Sequence, residues 1–118
     1  AFHDNTNNNT INVATDSGTG LIRGSVTTGG VLQTSGVTSG TAFANTTFKA
    51  ALGYAANDVL ISGNGGISGI DTSVTLPSVS QLNLGTRASA QLPINGYLRR
   101  ITYYPRRLGN NDLQAITA

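Results

Sequence analysis

An all-β antiparallel sandwich with one short C-terminal helix is the fold class that these residues predict. Three observations carry it. Charged residues make up only 10% of the 118 residues and glutamate is missing, so the chain is poor in the side chains that support exposed helices. Apolar and polar residues alternate in short runs, the pattern of half-buried strands. Turn formers, led by 15 glycines, interrupt those runs at spacings of about 8–12 residues, as in a sandwich. A mass of 12.1 kDa fits a single domain over 1–118, long enough to hold a core without covalent staples.

The elements follow in order. Residues 4–10 are a polar loop of Asp, Asn and Thr, which bond their own backbone. Ile11, Asn12 and Val13 begin a short strand, and Asp16 to Gly20 turn the chain. The next strand, 21–27, sets Ile22, Gly24 and Val26 on one side. Gly29 and Gly30 suit a hairpin, because glycine takes positive φ without steric cost. The return is 31–34, and 35–47 is turn-rich, anchored by Phe43. Strand 48–54 places Phe48, Ala50, Leu52 and Tyr54 on one face. Residues 55–58 turn back into 59–62, and Asn64, Gly65 and Gly66 turn again into 67–71. Pro77 interrupts before a short strand at 82–85. The last long strand is expected at 96–104, stopped by Pro105. A helix over 110–117 is expected to pack on the sandwich edge, capped by Gly109 or Asn110. The expected core is Phe48, Leu52, Ile61, Leu82, Leu84, Leu98, Ile101, Tyr103, Leu108 and Leu113.

Segment 96–104 resists simple alternation, since Ile101 and Tyr103 share a side with Arg99 while Leu98 points away. One extra residue at Arg99 and Arg100 repairs the pattern. A β-bulge there turns Leu98, Ile101 and Tyr103 inward and both arginines outward.

Gly96, Tyr97, Leu98, Ile101, Tyr103, Tyr104, Arg106 and Leu108, followed by a short helix, form a motif that resembles the C-terminal strand of concanavalin A-like jelly rolls of the laminin-G type. The nearer resemblance is to the versions found in bacteriophage tail-fibre and related virion proteins. The hairpin at 48–58, the turn at 64–66, Asp71, Pro77 and the loop at 4–10 extend the likeness over nearly the whole chain. It implies a jelly roll, a non-enzymatic role in host adhesion or particle assembly, and a place in the virion. The implied partners are other virion subunits, copies of the chain itself (as a homo-oligomer, plausibly a trimer) and a host cell-surface glycan. The alternative is a carbohydrate-binding module of a secreted bacterial protein. A third class is a decoration protein with no ligand. Such domains carry one or two strands ahead of the loop matching 4–10. The expectation is therefore a sheet lacking its first strands, either in a processed or partial chain, the C-terminal part of a larger one, or in a sheet completed by a neighbouring subunit or an unseen segment, and in either case a chain that is not a stable free monomer.

Composition narrows the chemistry. Cysteine is absent, which removes disulfides, thiol nucleophiles and Cys-ligated metals. A net charge of +2 with no dense basic tract argues against nucleic acid, and no apolar run is long enough to insert in a membrane. Glycosidases of this shape use two nearby carboxylates, but here the acids are the scattered Asp4, Asp16, Asp58, Asp71 and Asp112. His3, the lone histidine, is expected to be exposed and inert. A calcium site built from Asp16, Asp58 and Asp71 is set against turn stabilisation, which their spacing favours. The expectation is no catalytic residue, metal or cofactor. What stands out is arginine: Arg99, Arg100, Arg106 and Arg107 are four of the seven basic residues. They are a solvated strand face, a subunit contact or a grip on an anionic glycan, with Tyr97 and Tyr104 as candidate stacking faces.

Overall fold

Each strand of the chain pairs antiparallel to its neighbour. The computed structural model describes residues 1–16, 18–34, 37–42, 46–87 and 93–118, with the side chains of 40–42 and 68 left aside. The strands are β1 (Phe2–His3), β2 (Thr10–Thr15), β3 (Leu21–Thr28), β4 (Val31–Leu32), β5 (Thr38–Ala42), β6 (Ala50–Ala55), β7 (Asp58–Gly63), β8 (Gly66–Asp71) and β9 (Gln81–Leu82). A helix, α1 (Asn110–Thr117), follows. One sheet runs β9-β1-β2-β3-β5 with β4 also on β3, the other is β6-β7-β8, and they join where Thr38 pairs with Ser68. The expected anchor Phe43 lies outside the described residues.

The hairpin turns are where local chemistry demands them. Asn64 and Gly65 both have positive φ (45° and 76°), and so do Gly29 and Gly30 (58° and 81°). Two such residues make the two-residue loop whose twist matches the flanking strands. Beyond β4, β3 is bonded partly by side chains. Thr34 Oγ1 accepts from the Val26 N–H at 3.1 Å and Ser39 Oγ from the Ile22 N–H at 3.1 Å, which explains why two hydroxyl residues are buried there.

The two sheets meet face to face around Gly24 of β3. A Cβ at Gly24 would stand 2.6 Å from Leu52 Cδ1 of β6 and 3.5 Å from Ile61 Cβ of β7. Ile11, Ile22, Val26, Val37, Val59, Ile61 and Val74 fill the interior, with Phe48 and Leu52 partly buried against them. Strand β7 is covered on both sides. Val59 and Ile61 face this core, while Ser62 meets Thr117 of α1. The helix therefore lies on β6, β7 and β8 as an outer layer, not on the sandwich edge.

Several expectations need correction. Residues 96–104 form no strand, so no ladder exists for a bulge at Arg99 and Arg100 to interrupt. Register shifts occur instead between β7 and β8, where Gly69 takes φ 78°, and between β3 and β5, at Leu21 and Arg23. Leu98, Ile101 and Tyr103 are exposed, as are Leu82 and Leu84, and Leu108 is half-buried. Their place in the core is taken from one side by the stretch after β8. Val74 is buried there, held by a bond from its N–H to Asn57 Oδ1 at 3.0 Å and one from the Asn57 N–H to its carbonyl at 2.9 Å. A strand also precedes the 4–10 loop, because β1 lies between β2 and β9.

Candidate recognition surface

The segment from Pro93 to Arg107 is a strap lying across the open side of the sandwich. At one end the Ile94 N–H donates to the Gly85 carbonyl at 2.6 Å. At the other, Arg107 holds the strap down. Its Nη2 bonds Asp58 Oδ1 at 2.8 Å and Asn110 Oδ1 at 2.7 Å, and its Nη1 reaches the Leu108 carbonyl. Only 12% of the Arg107 side chain is exposed. Gly53 of β6 makes this seating possible, since a Cβ there would stand 2.9 Å from Arg107 Nε and 2.6 Å from Leu113 Cδ1. Arg107 thus links the β6–β7 turn to the start of α1 and is turned away from solvent.

The other candidate residues are turned the other way. Tyr97 is 99% exposed, Tyr104 is exposed, and so are Arg99, Arg100 and Arg106. Among the described residues these three arginines make no ion pair and no hydrogen bond. No acidic residue lies between Asp71 and Asp112, whereas Arg87, Arg99, Arg100, Arg106 and Arg107 do, so the strap is locally cationic despite the small net charge. The strap brings Tyr97, Arg99 and Arg100 together by sequence and adds Tyr104 and Arg106. It separates Arg107 from them.

Beneath the strap is a hollow of about 2320 Å³, with Phe2, Ile22, Leu52 and Tyr54 on the sheet side and Leu98 and Ile101 on the strap side. The Tyr103 ring reaches across it, 5.9 Å from the Phe2 ring, which lies 6.4 Å from Tyr54. Burial raises the Tyr54 hydroxyl above its ordinary pKa, and its pairing with Tyr103 raises it further.

Three of the five aspartates serve their own turns. Asp4 accepts from Thr6 Oγ1 at 2.6 Å and Asn9 Nδ2 at 2.7 Å, Asp16 from the Gly18 N–H at 2.8 Å, and Asp71 from the Ser73 N–H at 3.0 Å. Asp58 is taken up by Arg107. Among the described residues no three His, Asp or Glu side chains gather as metal ligands. His3 corrects the expectation of an exposed histidine. It is 1% exposed on β1, and its Nδ1 accepts from the Asn5 N–H at 2.9 Å. Sequence reasoning also missed Thr117, whose Oγ1 bonds Ser62 Oγ at 2.7 Å, accepts from the Gly65 N–H at 3.1 Å and donates to the Leu113 carbonyl at 2.9 Å. Its place four residues after Leu113, on the same helix face, was the available signal.

Comparison with protein-family models, with curated proteins and with solved structures finds no match to this chain.

Proposed function

We propose that the chain is a non-enzymatic module of a bacteriophage virion, part of a tail fibre, spike or capsid fibre, that works in host-surface adhesion or particle assembly. The likeness of the 96–108 motif to concanavalin A-like virion domains supports the setting. One observation carries the role: a strap that offers Tyr97, Arg99, Arg100 and Arg106 to solvent with no partner of their own among the described residues. Guanidinium forks bind carboxylates and carbonyls in pairs of parallel hydrogen bonds, and tyrosine adds rigid apolar area at little entropic cost. Such a surface suits an acidic sugar or a neighbouring subunit's backbone. Asp4, Asp16 and Asp71 are engaged in their own turns and Asp58 with Arg107, which fits binding without turnover.

The test is direct binding by the purified chain. It is presented with a panel of neutral and acidic bacterial surface polysaccharides and, separately, with particles lacking it. Saturable binding to an acidic polysaccharide or to the particle, weakening as salt rises, is the expected result. Binding to neither, or equal binding to neutral polymers at all salt concentrations, would refute the reading. Polysaccharide binding by a monomer, with no affinity for particles, would favour a secreted carbohydrate-binding module instead.

A further inference from the structure

We propose that Asn95 and Gly96, in the strap, are a self-modification site at which the Gly96 backbone nitrogen displaces the Asn95 side-chain amide as ammonia and leaves an acid beside the arginines. The chain holds two Asn-Gly pairs, Asn64 with Gly65 and Asn95 with Gly96. Asn-Gly suits this reaction because glycine has no Cβ to keep its nitrogen from swinging toward the preceding side chain. The fold then decides whether the two reacting atoms can meet.

The two pairs are held in opposite ways. At the turn between β7 and β8, Asn64 Oδ1 accepts from the Lys49 N–H at 2.9 Å, and the Asn64 N–H donates to the Lys49 carbonyl at 3.0 Å. The Gly65 N–H, which must lose its proton to react, donates to Thr117 Oγ1 at 3.1 Å. Nitrogen and side-chain amide are thus tied to separate partners. In the strap, Asn95 and Gly96 are both exposed, and neither makes a hydrogen bond among the described residues. A Cβ at Gly96 would meet nothing within 4 Å. The anchor from the Ile94 N–H to the Gly85 carbonyl stops one residue short, so the peptide between Asn95 and Gly96 is free to turn.

The chemistry needs only water. Solvent base removes the Gly96 amide proton, the nitrogen bonds Asn95 Cγ, and the Cγ–Nδ2 bond breaks, with the departing nitrogen taking a proton from water to leave as ammonia. The five-membered succinimide so formed takes up water at one of its two carbonyls, which breaks a ring C–N bond. One opening gives aspartate, the other isoaspartate. Either places a negative charge in the stretch between Asp71 and Asp112, which otherwise holds no acid, and lowers the local potential around Arg99 and Arg100. A weaker grip on acidic polymers follows; that consequence rests on the strap's being the binding surface, whereas the site itself does not.

The test holds the folded chain in warm, mildly alkaline buffer, samples it over time and locates each amide-to-acid change by mass, with the chain unfolded in guanidinium chloride as reference. Asn95 should convert within about tenfold of its unfolded rate, and Asn64 about tenfold or more below its own. Equal slowing at the two sites, or conversion at Asn64 ahead of Asn95, would overturn the assignment. Gly96→Ala should keep the wild-type Tm and slow the change at Asn95 by about tenfold. An unchanged rate in that variant would count against attack by the Gly96 nitrogen. Asn95→Asp supplies the product charge directly. It should bind acidic polysaccharide more weakly than the wild type at low salt and equally at high salt. Equal binding at low salt would overturn the consequence for binding. A wild-type chain that converts at Asn95 yet binds no acidic polymer would uphold the site and refute the binding surface.

Discussion

Single residues decide where this molecule is tight. Gly24 and Gly53 are two points among the described residues at which an added Cβ would stand within 3 Å of a neighbour, the first between the sheets and the second under Arg107 and Leu113. Gly24→Val and Gly53→Val are each expected to cost about 1–3 kcal/mol as overpacking. Gly96→Ala, which meets nothing within 4 Å, is the neutral control, and urea melts of the three compare them directly. Thr117→Val keeps the volume but removes the hydroxyl shared by Ser62, Gly65 and Leu113. It should cost about 1–3 kcal/mol by the same measurement, whereas the exposed Ile116→Ala should change stability little. Asp4 carries a pH signature. Hydrogen bonds from the Thr6 and Asn9 side chains hold its carboxyl below the ordinary range, so its contribution to stability is present above about pH 4 and is lost as pH falls through its depressed value. The Tm gap between wild type and Asp4→Asn should be widest at neutral pH and close in acid. A gap that widens in acid would reverse that sign.

At the scale of elements, what was legible was local, and what was not depended on partners. Asn64 with Gly65, and Gly29 with Gly30, dictate their turns wherever the rest of the chain goes, so the hairpins β3–β4 and β7–β8 could be read in advance. Ile22, Gly24 and Val26 read as one face because alternation has only two sides to offer. The same rule misplaced 96–104. Alternation says which side chains share a face, but not whether a neighbouring edge is in reach to accept the backbone. Helix α1 was visible in its period, but Thr117 outranks Ile116 on the buried face because Ser62 and the Gly65 N–H offer it partners from β7 and its turn. His3 read as a loose end because a two-residue strand such as β1 has no pattern of its own. It is defined by β2 and β9 on either side. The candidate site divided in the same way. Arginine and tyrosine were legible as a cluster, while the removal of Arg107 by Asp58 and Asn110 rested on contacts across the fold.

At the scale of the whole molecule the arginines divide by role: Arg107 holds the fold together and Arg99 with Arg100 meets the outside. The two roles are readable in one pair of variants. Arg107→Ala removes a mostly buried side chain bonded to Asp58 and Asn110, and hydrogen bonds to charged groups are worth about 1.5–3 kcal/mol. Arg99→Ala/Arg100→Ala removes two exposed side chains with no partners among the described residues, which ordinarily changes stability by less than about 0.5 kcal/mol. The deciding measurement is a paired one, Tm and adsorption to host cells or particles, on the wild type and both variants. Arg107→Ala is expected to lower Tm, whereas Arg99→Ala/Arg100→Ala should keep the wild-type Tm while losing adsorption by about tenfold or more. Wild-type adsorption in Arg99→Ala/Arg100→Ala, with its Tm unchanged, would contradict that division of roles.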